Sequence, residues 1–169
     1  METMKAIRMH AFGGPEVLAY EDAPRPVPAA DEVLIRVLAA GVNPVDWKIR
    51  EGYMREKISL PLVPGWDVAG VIEEKGPAVV GLEPGDGVYA LPSILRNGAY
   101  AEYIVVKASE VTLKPDSLDY DHAAAVPLAA LTAWQSLFDL AHLRAGRKIL
   151  IHAAAGGVGH FGCFRVFSG

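Results

Sequence analysis

The chain has 169 residues, enough for one ordinary domain, or for one domain with a stub of a second. Half of it is hydrophobic (51%) and a fifth is charged (21%), a balance that excludes a disordered chain. The formal charge is −4 with lysines and arginines scattered, which disfavours nucleic-acid binding, and the single cysteine, Cys163, excludes an internal disulfide or a multi-cysteine zinc site.

The first ten residues carry Lys5 and Arg8 but no apolar segment of a secretory signal. The most apolar run, AAAVPLAALTAW, is twelve residues long and is broken by Pro127. A membrane span needs about 20. A cytoplasmic, soluble protein with no membrane partner is the expectation.

MKAIRMH alternates as a strand does, and FGGPEVL turns the chain at Gly13, Gly14 and Pro15 into a second strand, VLAYED. Prolines 24, 26 and 28 favour an extended connector. In EVLIRVLAAGV, Val33, Ile35 and Val37 face one way and Leu34, Arg36 and Leu38 the other. Asn43 as cap and Pro44 as first helical residue predict a short helix ending near Gly52. WDVAGVIEEKG, GDGVYAL, AYAEYIVV and VTLKP are further strands, set off by glycine or proline. Many short strands with such turns predict a partly open barrel or a sandwich over residues 1–115.

Residues 116–146 change character. They are rich in alanine and leucine at helical spacing, with Pro127 splitting a short helix from a longer one. Asp119 and Asp121 suit the positive end of the helix dipole, and Gly146 is expected to close the segment. Residues 147–169 then read as a buried strand, RKILIHA, a glycine-rich turn and a helix start.

That last layout is the one that grips a dinucleotide. The spacing is Ala154-x-Gly156-x-x-Gly159, so Gly156 lets backbone approach a pyrophosphate and Gly159 lets helix and strand pack closely. Gly157 and Val158 complete the turn, and the helix start offers N–H groups to phosphate. A glycine-rich turn without a ligand fits the same residues. The full crossover takes about 30 residues, with a ribose-reading residue about 20 further on. Ten residues follow Gly159.

Taken in order, MKAIRMHAFGGPEVL, EVLIRVLAAGVNPVDWKIREG, PLVPGWDVAGVIEE, PGDGVYAL, GAYAEYIVV, AAAVPLAALTAW and ILIHAAAGGVGHF resemble the medium-chain dehydrogenase/reductase superfamily. The likeness is to its zinc-free quinone oxidoreductase branch, with zeta-crystallin-like and enoyl-reductase relatives, and runs from residue 4 to about 161. It implies a mainly β, GroES-like partly open barrel with connecting helices, followed by the opening βα of a Rossmann domain. The tail departs from the pattern: relatives continue the last block with an apolar helix-forming stretch, and here stands GCFRVFSG. Gly162 weakens a helix by about 1 kcal/mol relative to alanine. Phe161, Phe164 and Phe167 are expected to find little sheet to pack on. The expectation is a truncated or frameshifted product, or a fragment, of a two-domain reductase.

The resemblance also implies site residues. Zinc-dependent relatives carry a catalytic cysteine where this chain has Asn43, and Gly-His-Glu where it has Gly65-Trp66-Asp67, so no zinc is expected. The five histidines, at 10, 122, 142, 152 and 160, are dispersed. Asn43 is a catalytic candidate beside a nicotinamide, donating to a substrate oxygen or holding the ribose; a plain helix cap is the other reading. Tyr53 is a second candidate, offset by one from the family's tyrosine, with a half-buried aromatic as its alternative. Thr132 matches a threonine near the nicotinamide, or else bonds back to its own helical turn. Gly156, Gly157, Val158 and Gly159 are the cofactor-binding candidates. The implied activity is hydride transfer from NADPH, with NADH not excluded, to a quinone or an α,β-unsaturated carbonyl. The 169 residues alone are expected to be inactive, and a homodimer is a candidate assembly. The alternative is a non-enzymatic GroES-like interaction module.

Overall fold

Alternating apolar residues between glycine and proline turns settle into strands, because the period of two puts one row of side chains into a common interior. The computed structural model describes residues 2–167, with side chains to residue 163. Chain contacts separate two units, Met1–Ala125 and Val126–Gly169.

In the first unit, β1 (Thr3–Met9) and β2 (Leu18–Pro24) form an antiparallel hairpin. Five more strands, β3 (Glu32–Gly41), β4 (Asp67–Lys75), β5 (Gly87–Ala90), β6 (Tyr103–Lys107) and β7 (Val111–Leu113), make an antiparallel sheet in the order β6-β3-β4-β5-β7. It is curled into a partly open barrel, as the turn-rich first part of the sequence predicts. Val33 and Ile35 of β3 meet Val68, Ile72, Val88, Ile104 and Val106 in the interior. Each such side chain stabilises the fold by about 1.5–3 kcal/mol. Leu34 is buried too, so the start of β3 is covered on both faces. Two register shifts in β3, at Leu34/Ile35 and Val37/Ala39, mark where its ladder with β4 is interrupted.

A second cluster of Met9, Ile49, Ile58, Leu62 and Trp66 fastens α1 (Pro44–Arg50) to the barrel through Ile49. Single bridges, Ala6 to Ala101 and Met9 to Leu62, tie the hairpin on. The short α2 (Tyr120–Ala124) is capped by Asp119, whose carboxylate accepts the His122 N–H at 2.8 Å. Ala123 and Ala124 pack on Ala69 of β4.

The second unit holds α3 (Pro127–Trp134), which runs into a π-helical stretch at Gln135–Leu140, and α4 (Gly157–Phe167). Pro127 does split the helical region. Two expectations from the sequence need correction. The long helix stops at Leu140, not at Gly146: His142 takes a left-handed φ of 47°, and Leu143 N–H returns to the Leu137 carbonyl at 2.8 Å. Gly146 serves a separate turn, with a φ of 81°. RKILIHA forms no strand, since apolarity alone makes no ladder and no described strand lies beside it; Leu150 is 79% exposed. Gly162 sits within α4, where a side-chain carbon would meet Ile151 at 3.4 Å, an ordinary contact. Phe161 is half-buried, while the side chains of Phe164 and Phe167 lie outside the described residues. Among the described residues, no helix is long and apolar enough to cross a membrane.

Candidate active site

The sequence Asn43-Pro44-x-Asp46 builds one wall of a cleft in the first unit. Asn43 is extended (φ −125°, ψ 154°) and Pro44 starts α1 without needing a backbone donor. Asn43 and Asp46 form a capping box, in which Asp46 Oδ2 accepts the Asn43 N–H at 2.7 Å. The Asn43 side chain turns its amide to β4, donating from Nδ2 to Asp67 Oδ2 at 2.8 Å. A carboxylate only accepts, so this contact fixes which end of the amide faces Asp67. One amide N–H remains to donate elsewhere.

Asp46 is 6% exposed, and its Oδ2 also accepts the Tyr100 hydroxyl at 2.7 Å. Its other oxygen, Oδ1, is buried with no hydrogen-bond partner. Burial raises the Asp46 carboxyl above its ordinary range, and the bonds from Asn43 and Tyr100 pull the other way. Burial, then the bond to Asp46, also pushes the Tyr100 phenol up. Glycine makes this packing possible at two points. Gly65 is left-handed (φ 89°), and a Cβ there would stand 2.4 Å from the Tyr100 ring. At Gly41 a Cβ would meet Ala124 O at 2.5 Å and Asp67 Cβ at 2.8 Å.

Asn43, Asp46 and Tyr100 share a cleft of about 220 Å³ with Leu18, Val42, Trp47, Arg50 and Pro64. Tyr53 is not among its lining residues; it is 59% exposed, and its N–H donates to Lys48 O at 2.8 Å. Sequence reasoning did not single out Tyr100 as a site residue. Its one local signal is Gly65, the glycine of PGWD, whose missing side chain makes room for the ring.

In the second unit the Thr132 hydroxyl donates to Leu128 O at 2.7 Å, the bond of a helical threonine to its own turn. Gly156 precedes α4, and its carbonyl accepts the His160 N–H at 2.8 Å, the first bond of that helix. The amides of Gly157, Val158 and Gly159 belong to the first turn, which has no intrahelical acceptors. A Cβ on Gly157 would meet only Ala129, at 3.8 Å, an ordinary contact. A Cβ on Gly159 would stand 2.3 Å from Ala153 O, so the helix closes on the loop only with glycine there. These residues fit a dinucleotide phosphate: first-turn amides, a helix N-terminus and a loop drawn close. Among the described residues, no three His, Cys, Asp or Glu side chains cluster as a metal site needs. Trp66, where zinc relatives are expected to place a histidine, is buried and donates its indole N–H to Arg96 O at 3.0 Å.

The family model described as the alcohol dehydrogenase GroES-like domain matches residues 29–116. The chain belongs to that family. The relatives it is similar to include proteins named quinone oxidoreductases, and its structural neighbours include a quinone oxidoreductase and an alcohol dehydrogenase superfamily protein. The match covers the whole Asn43–Asp46–Asp67–Tyr100 network of the GroES-like domain and none of the glycine loop. The quinone oxidoreductase of Pongo abelii is 42% identical over 95% of this chain and 48% of its own length. The structure of the quinone oxidoreductase from Coxiella burnetii superposes with a TM-score of 0.91 at 35% identity, over 99% of this chain and 54% of that one. A mycobacterial protein solved in complex with NADPH superposes at 0.84 with 38% identity, over 94% of this chain and 47% of that one. The chain thus spans about half the length of the curated relatives it matches.

Proposed function

We propose that the protein to which these residues belong transfers hydride from NADPH to a quinone or an α,β-unsaturated carbonyl. The observation that carries this is Asn43, fixed at both ends, with one amide N–H left over in a cleft of an oxidoreductase family fold. NADPH supplies the hydride when bound. Asn43 donates to the acceptor's oxygen, where negative charge grows as the hydride arrives; one well-placed donor of this kind is worth about 3–4 kcal/mol in the barrier. The apolar rim of the cleft limits water. The first-turn amides of α4, from Gly157 to Gly159, take the phosphates, and Thr132 lies on the helix that precedes the loop. Tyr53, which does not line the cleft in this structure, keeps the role of a hydroxyl donor to the acceptor only in this proposal. NADPH in the mycobacterial neighbour supports the choice of cofactor.

The proposal extends to a cytoplasmic enzyme acting on small molecules, with a homodimer as its assembly and no zinc. It also holds that the 169 residues by themselves are inactive, because the segment before the loop has no described strand to pair with. The test is loss of NADPH absorbance with a quinone acceptor. It is run on the product of the longest reading frame containing these residues, and on the 169-residue chain. Turnover by the longer product and none by the chain is expected. A longer product that leaves NADPH unoxidised, with both quinones and enones, refutes the reading.

A further inference from the structure

The cleft beside α1 carries an aromatic wall to which nothing above gives a role. Two tryptophans lie in the first unit. Trp66 is wholly buried, whereas Trp47 is 46% exposed and lines the cleft. Leu18 and Val42, on the same lining, are exposed as well. The ammonium of Lys48 stands 5.7 Å from the centre of the indole. Asn43 and Asp46 line the same cleft, and Asp46 carries a buried Oδ1 without a hydrogen-bond partner. The lining therefore combines an electron-rich indole and apolar side chains with polar groups. Its volume of about 220 Å³ suits one small flat molecule and is under the roughly 300 Å³ of the smallest drug-sized sites.

An electron-poor planar ring is the ligand this arrangement complements. Aromatic faces attract each other best in offset stacks, and an indole is an electron-rich partner. A quinone offers the flat electron-poor ring and carbonyl oxygens that accept from Asn43. An aliphatic enone offers the oxygen without the ring face. We propose that Trp47 is the specificity-determining wall of the cleft and selects planar aromatic quinones over aliphatic enones. Calling the ligand a substrate rests on the oxidoreductase reading; the binding itself does not.

The test is a titration of the 169-residue chain, without cofactor, followed in ¹H–¹⁵N spectra through the indole N–H signals. The probe is 2,3-dimethyl-1,4-naphthoquinone, whose substituted ring carbons resist addition by the Cys163 thiol. The control is isophorone, an aliphatic enone. Three tryptophans give three indole signals, and Trp47→Phe identifies the one at issue. The Trp47 signal is expected to move with the quinone while those of Trp66 and Trp134 stay. Stacking of a ring on an aromatic side chain is commonly worth a factor of ten or so in affinity. Trp47→Leu, followed through the backbone signals of Asn43 and Asp46, should weaken quinone binding about tenfold. Trp47→Phe should weaken it less than threefold, and neither should change isophorone binding. A thermal melt of each variant shows that it folds. Equal quinone affinity in wild type and Trp47→Leu overturns the proposal, as does absence of a Trp47 response or an equal loss of isophorone binding. Quinone binding at Trp47 in a protein that never oxidises NADPH would instead sink the oxidoreductase reading and leave this one standing.

Discussion

Removing one hydroxyl tests the network that holds the cleft. Tyr100→Phe keeps the ring against Gly65 and deletes only the donor to Asp46 Oδ2, now 2.7 Å away. No cavity of consequence opens, so the cost is that of one hydrogen bond to a charged, buried acceptor, about 1.5–3 kcal/mol. Its pH dependence has a definite sign. The folded-state pKa of Asp46 lies above its unfolded value, so its contribution to stability is complete below about pH 4 and is lost as pH rises through the folded value. The Tyr100 bond favours the carboxylate, so deleting it raises that pKa further and enlarges the loss. The variant's deficit should therefore grow from pH 4 to pH 7. The Tyr100 phenol, raised in the folded state, contributes stability that is present below about pH 10 and lost above it. Phenylalanine does not titrate, so the deficit should shrink again above pH 10. Urea unfolding followed by circular dichroism at pH 4, 7 and 10.5 measures all three. A deficit below about 0.5 kcal/mol at pH 7, or one equal at pH 4 and pH 7, refutes the reasoning.

Gly65→Ala combines a left-handed backbone with a clash on the Tyr100 ring, and urea unfolding should show a loss of about 3 kcal/mol or more, larger than for Tyr100→Phe. Gly159→Ala puts a carbon against the Ala153 carbonyl, so α4 must lift off its loop; a lower melting temperature and about 1–3 kcal/mol of lost stability are expected. Asp119→Ala removes the cap of α2 and should cost about 1 kcal/mol, read by the same unfolding assay.

Local patterns carried most of the barrel. Val33 and Ile35 alternate with their neighbours, and Asn43-Pro44 marks the start of α1 as a cap and a first helical residue do. The second unit was less legible where structure depends on distant partners. A residue with no glycine signature, His142, takes the left-handed turn that ends the helix, so Gly146 misled. Ile149 and Leu150 look like a core strand, but a strand exists only in a ladder. The same distinction applies to the cleft. Asn43 stood out through family resemblance, whereas its partner Asp67 lies 24 residues away, and Tyr100 lies 54 residues from Asp46. No periodicity reports pairings of that range. Gly65 and Gly41 are their only trace in the sequence, and a glycine does not say which side chain it makes room for.

Steady-state quinone reduction by the longest gene product, with Asn43 intact and with Asn43→Ala, bears most directly on the central claim that this residue steadies the acceptor's oxygen during hydride transfer. The account predicts NADPH-dependent reduction whose kcat falls about a hundredfold or more in the variant, as the loss of one such donor should produce, while the KM for NADPH changes little. Unchanged kcat in Asn43→Ala, or quinone reduction that proceeds without NADPH, would contradict it.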